Sequence, residues 1–123
     1  MHKKRILIVE DWDILADLEK EILEREGFEV EIAMGGVEGL ERIKGNIYDV
    51  IISDFQMPQM RGDEFYLEVR RLSQGLEKRI IFISAIISDS IGSTGNRFLA
   101  KPFSCQELIK VVKDLVTSDS NLS

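Results

Sequence analysis

Asp49-Val50-Ile51-Ile52-Ser53-Asp54-Phe55-Gln56-Met57-Pro58 is the stretch on which the fold turns. Its apolar run carries no charge on either face, so it reads as a strand covered on both sides, as in a parallel sheet flanked by helices. Asp54 follows the run directly, where a buried strand opens onto the surface. In an open parallel α/β sheet, that carboxyl edge is where ligands bind.

Other apolar runs end in the same way. Ile6-Leu7-Ile8-Val9 leads into Glu10 and Asp11, Ile80-Ile81-Phe82-Ile83 into Ser84, and Phe98-Leu99-Ala100 into Lys101 and Pro102. Between these runs lie helical patterns, which gives repeated βα units. Strands are predicted at 5–9, 28–33, 49–53, 79–83 and 97–100, with 28–33 at a sheet edge because apolar and charged residues alternate there. A first helix at 12–26 is read with Leu15, Leu18 and Ile22 toward the core, leaving Ile14 and Leu23 more exposed. A short second helix carries Val37, Leu40 and Ile43, and a third covers 62–73. Ser104-Cys105-Gln106-Glu107 is a capping box that opens the last helix, bearing Leu108, Ile109, Val112 and Leu115. Between Ser84 and Arg97, Gly92 and Gly95 weaken any helix, so a fourth one is expected to be short, ending near Ile91. The reading is a flavodoxin-like, doubly wound parallel sheet of five strands in the order 2-1-3-4-5, with five helices, the fourth shortened. One domain is expected over 1–118, with a frayed polar tail at 119–123.

Composition narrows the function classes. The chain holds 16 basic and 22 acidic residues, a formal net charge of −6, and its one basic run is Lys3-Lys4-Arg5. A direct nucleic-acid surface is therefore not expected. Cys105 has no second cysteine to pair with, which fits a reducing compartment and an inert surface thiol. No apolar stretch approaches the roughly 20 residues of a membrane span, and acids arrive too early for a leader peptide. The expected location is cytoplasmic, with no membrane partner.

The strand ends assemble a chemistry. Glu10, Asp11 and Asp54 would repel one another if brought close and ionised. A divalent cation and the Lys101 ammonium balance them, and Mg²⁺ suits a site of carboxylates, waters and phosphate oxygens. Taken singly, Asp11 or Asp13 reads as a helix cap, Ser84 as a strand-ending hydroxyl and Lys101 as a surface lysine. Their convergence on Asp54 carries the chemical reading, in which the Asp54 carboxylate is a nucleophile able to form an acyl phosphate. Phosphoryl transfer requires in-line placement and neutralisation of three equatorial oxygens. The cation, Ser84 and Lys101 would each serve one of them, and Pro102 restricts the backbone behind Lys101, with a cis bond among its options.

These stretches, together with Gly62, Ala85 and Phe103, resemble the receiver domain of two-component response regulators over essentially the whole chain. The segment from Asn96 to Ser104 also resembles receivers attached to hybrid histidine kinases. The resemblance implies a signalling domain rather than an enzyme, one that assists its own phosphorylation and dephosphorylation. Asp54 would accept a phosphoryl group from a histidine kinase or a histidine phosphotransfer protein. Asp11, Asp54 and the backbone carbonyl of Gln56 would bind Mg²⁺, with Glu10 acting through water. Ser84 and Lys101 would contact the phosphoryl oxygens, and Phe98 would be the aromatic that moves inward as Ser84 is drawn to the phosphate. An ordinary core role for Phe98 stands as the alternative.

One departure is visible. The interval from Ser84 to Lys101 is several residues shorter than usual in the family, and the shortfall lies in the fourth helix. That segment is expected to be mobile or irregular, which calls the usual dimer through this face into question and leaves weak homodimerisation as the expectation. Ile14, three residues past Asp11, is a candidate contact for a partner's histidine-bearing helix. A haloacid-dehalogenase-type phosphatase would need an acid where Gln56 stands, and a flavodoxin would need a phosphate cradle where Glu10 and Asp11 stand. A phosphate-independent pseudo-receiver is the remaining alternative.

Overall fold

Three apolar runs covered on both faces, flanked by two partly exposed edge strands, form one parallel sheet. A computed structural model describes residues 3–86, 92 and 94–121. Its strands are β1 (Arg5–Val9), β2 (Glu29–Ala33), β3 (Val50–Asp54), β4 (Ile80–Ser84) and β5 (Phe98–Ala100), in the order β2-β1-β3-β4-β5. Four α-helices occur among the described residues: α1 (Asp13–Arg25), α2 (Gly36–Gly45), α3 (Gly62–Leu72) and α4 (Cys105–Asn121). A single 3-10 turn, Leu76–Arg79, leads into β4. The expected short fourth helix and its irregularity fall largely on 87–91 and 93, outside the described residues, as does His2.

Alternation along the strands divides the core. Ile6, Ile8, Val50, Ile52, Ile81, Ile83 and Leu99 face Ala16 and Leu23 of α1 and Leu108, Val112 and Leu115 of α4. Leu7, Val9, Ile51, Ile80 and Phe82 face Ile43 of α2 and Phe65 and Val69 of α3. The capping box forms as the sequence predicts: the Glu107 amide donates to Ser104 Oγ at 3.1 Å and the Ser104 amide to Glu107 Oε1 at 3.0 Å. Helix α4 then continues to Asn121, past the expected domain end at 118.

The core face of α1 is not the one read from the sequence. Ala16, Glu19 and Leu23 are the buried positions, while Leu18 is 51% exposed and Leu15 and Ile22 are half-buried. Five large apolar residues besides Ala16 surround this helix, so the apolar pattern marks more than one stripe. The stripe Leu15, Leu18 and Ile22 borders a groove of about 430 Å³ with Pro102, Phe103 and Cys105 rather than the centre of the core.

Register sets the level of the strand ends. Asp54 lies opposite Ile83, and Ser84 opposite Ala100. The ladders run one step further, from the Glu10 amide to the Ala33 carbonyl at 3.0 Å and from the Lys101 amide to the Ser84 carbonyl at 2.9 Å. Every chemically active strand end is thereby delivered to the same edge.

Candidate functional site

Asp54 closes β3 and is almost buried, with 9% of its side chain exposed. Its Oδ1 accepts a hydrogen bond from the Gln56 amide at 2.9 Å, and its Oδ2 accepts one from Lys101 Nζ at 2.9 Å. The Lys101–Pro102 peptide bond is cis. Burial works against the Lys101 ammonium, but its hydrogen bond to Asp54 and the charges of Asp54, Glu10 and Glu19 outweigh it and raise its pKa.

Glu10, Asp11 and Asp54 come together as a group. One carboxylate oxygen from each lies within 4.8 Å of the others. Glu10 and Asp54 are buried, whereas Asp11 is exposed at the rim. Neither Asp11 nor Asp13 caps α1: its N-cap is Trp12, and no side-chain cap hydrogen bond forms there. Burial, then a hydrogen bond to Asp54 and its negative charge, push the Glu10 carboxyl up to about 8. The three carboxyl groups carry more negative charge, if ionised, than Lys101 alone can offset. Hard carboxylate donors gathered within 4.8 Å of one another, with no His or Cys among them, suit a hard cation. The residues fit Mg²⁺.

The Ser84 side chain makes its hydrogen bonds to its own loop. Ser84 Oγ donates to the Ile86 carbonyl at 2.6 Å and accepts from the Ile86 amide at 3.1 Å. This local turn satisfies the hydroxyl without engaging the carboxylate. Phe98 is 44% exposed, so it is not an ordinary core residue.

Two residues near the site have no counterpart in the sequence reading. Glu19 is 1% exposed on the inner face of α1, and its Oε2 has no hydrogen-bond partner. Burial pushes its carboxyl up to about 8, against the pull of Lys101 and with the push of Asp54. Arg61 lines a surface cavity of about 470 Å³ with Asp11, Gln56, Met57 and Pro58. An acid interrupting an apolar stripe, at the i+3 position from Ala16, was the available signal for Glu19. Nothing in the sequence alone distinguished Arg61 from any surface arginine.

Fold and site together define a class, the open α/β domain with an acidic pocket at its carboxyl edge. The chain belongs to the response regulator receiver domain family, whose model matches residues 6–113. Transcriptional regulatory protein CutR of Streptomyces coelicolor is 34% identical over 116 residues, covering 90% of this chain and 52% of that protein. The chemotaxis protein CheY4 of Vibrio cholerae is a solved structure with a TM-score of 0.85 and 31% identity, covering 93% of this chain and 99% of that one. A CheY-like receiver domain protein of Methanospirillum hungatei reaches a TM-score of 0.91 at 29% identity, covering 99% of this chain and 100% of that one. The chain spans about half the length of the curated relatives it matches. Receiver domains are signalling domains of two-component systems, and they bind Mg²⁺ at an acidic pocket of this kind. No helix among the described residues is long and apolar enough to cross a membrane.

Proposed function

We propose that this chain is a phosphoacceptor receiver in a two-component phosphorelay, with Asp54 taking the phosphoryl group of a phosphohistidine on a histidine kinase or phosphotransfer protein. The observation that carries this reading is the pairing of Asp54 with Lys101 at 2.9 Å inside a group of three carboxylates. An Asp54 oxygen attacks phosphorus, the phosphorus–nitrogen bond breaks, and the imidazole leaves with the electron pair and takes up a proton. Mg²⁺, held by Asp11, Asp54 and the Gln56 carbonyl with Glu10 behind them, would supply positive charge for the transferring oxygens. Lys101 stays beside Asp54 and neutralises a second oxygen. Ser84 gives up its bonds to Ile86 and donates to the phosphoryl group, and Phe98 turns inward to occupy the space released.

This is a two-state switch in which the added phosphate biases a pre-existing equilibrium. The domain acts on no separate substrate; its chemistry is its own phosphorylation and dephosphorylation. Output passes to a further domain or a downstream partner, in keeping with relatives named as transcriptional regulators and twice this length. The donor's histidine-bearing helix packs beside the acidic pocket on Ile14, which is 67% exposed, and along the groove bordered by Leu15 and Leu18. Reduction with borohydride tests the acceptor directly, because an aspartyl phosphate is converted to homoserine. A homoserine at position 54 in the phosphorylated protein supports the assignment, and homoserine elsewhere, or a borohydride-resistant phosphate, rejects it.

A further inference from the structure

The Asp54 carboxylate has two unlike sides. Oδ2 is taken by Lys101, while Oδ1 meets the amide of Gln56, whose residue lines the cavity that Arg61 borders. Arg61 is tied to the nucleophile's own strand end. Its guanidinium stacks over the Phe55 ring, 5.9 Å from the centroid, and Phe55 directly follows Asp54. Phe55 is buried edge-on against Phe82 at 5.2 Å, and the Gly62 amide donates to the Phe55 carbonyl at 2.8 Å, so platform and backbone are both fixed. Asp63 approaches the guanidinium at 3.6 Å in an exposed, weak pairing.

In-line attack by Asp54 sends the leaving group away from the carboxylate. The cavity adjoins the site through Gln56 and through Asp11, whose carboxylate lies within 4.8 Å of that of Asp54. Its lining holds two charged side chains, Asp11 and Arg61. With Asp11 engaged by Mg²⁺, Arg61 is the charge that attracts a leaving group departing as an anion. A leaving group that departs as a neutral amine gains little from it. Resting on the phosphoacceptor reading, we infer that Arg61 is a specificity residue that favours small acyl-phosphate donors over phosphoramidate-type donors by receiving the departing carboxylate. With acetyl phosphate, an Asp54 oxygen forms the new bond to phosphorus while the bond to the bridging oxygen breaks. Acetate leaves with that electron pair and needs no proton. With phosphoramidate, already protonated on nitrogen, an Asp54 oxygen forms the bond to phosphorus while the phosphorus–nitrogen bond breaks, and ammonia leaves with that electron pair, carrying no negative charge to the rim.

The experiment measures phosphorylation of the full chain by intact mass, over a range of acetyl phosphate or phosphoramidate concentrations at saturating Mg²⁺. Wild type, Arg61→Ala and Arg61→Lys are compared, and Mg²⁺ binding is followed separately by the fluorescence of Trp12, the one tryptophan. For Arg61→Ala, kcat/KM for acetyl phosphate should fall roughly tenfold and that for phosphoramidate by less than about twofold, with Arg61→Lys regaining most of the loss. Mg²⁺ affinity should fall in neither variant, which excludes damage to the carboxylate cluster. Equal losses with both donors, or none with acetyl phosphate, would overturn the assignment. Failure of wild type to take phosphate from either donor would instead remove the underlying reading, so the two failures are distinguishable.

Discussion

Lys101 Nζ lies 2.9 Å from Asp54 Oδ2, joining two residues 47 positions apart in the chain across the carboxyl edge of the sheet. The ammonium is the cation that lets three carboxylates share a small space, and it leaves the cluster with a net charge of about −2 if all are ionised. Substituting Lys101→Met should therefore tighten Mg²⁺ binding while slowing phosphorylation by about 10²-fold, because a charge aimed at the transferring oxygens is lost. Trp12 fluorescence reads the first effect and intact mass the second. An unchanged phosphorylation rate would remove Lys101 from the chemistry.

Ser84 is tied to Ile86 at 2.6 Å, and Phe98 stands 44% exposed. The account requires both to move together. Ser84→Ala should still take up phosphate, but a fluorine label on Phe98, observed by NMR, should shift on phosphorylation far less than in the parent. Equal shifts in both proteins would uncouple the hydroxyl from the aromatic.

Metal binding should report the Glu10 proton. Burial and contact with Asp54 hold the Glu10 carboxyl near 8 without metal, so Mg²⁺ must displace a proton below that pH. Affinity should rise with pH by up to about tenfold per unit and level off above about 8. Glu10→Gln should flatten the profile below about pH 8. A flat profile in the parent would contradict the raised Glu10 carboxyl.

Glu19 is a cost to the fold. Its carboxyl is raised to about 8 from an ordinary 4.5, so between those values the folded state keeps a proton that the unfolded chain has released. Metal-free stability from this group is accordingly greatest below about 4.5 and declines as pH rises to about 8. Glu19→Leu should raise stability by about 1–3 kcal/mol at neutral pH and reduce that decline. Thermal melts in a chelator, at several pH values, measure both. A destabilised variant with an unaltered pH slope would show that Glu19 is paired rather than orphaned.

Gly62 admits no side chain. A Cβ there would sit 2.3 Å from Phe55 Cδ2. Gly62→Ala should cost about 1–3 kcal/mol in denaturant melts, since Phe55 can yield only by disturbing Phe82. A neutral substitution would mean that the Phe55 platform is softer than its packing implies.

The sheet was legible because each central strand is a short uncharged run punctuated by a chemically distinct residue. Asp54, Ser84 and Lys101 announce themselves by ending such runs, and parallel register carries them to one edge without further information. The inner face of α1 was not legible for the opposite reason. Ile14, Leu15, Leu18, Ile22 and Leu23 distribute apolar surface around the helix, and the true inner stripe contains Glu19, which a pattern of hydrophobicity assigns to solvent. Side-chain states are also beyond a sequence. The Ser84–Ile86 turn and the exposed Phe98 are local arrangements that residue types alone do not fix.

The central claim is that Asp54 is the phosphoacceptor, and intact-protein mass tests it most directly. Wild type and Asp54→Asn are incubated with acetyl phosphate, with and without Mg²⁺. The account predicts a gain of one phosphoryl group in the wild type only when Mg²⁺ is present, and none in Asp54→Asn. An equal gain in Asp54→Asn would place the phosphate on another residue, and no gain in the wild type with either acetyl phosphate or a phosphohistidine donor would make this a phosphate-independent binding module.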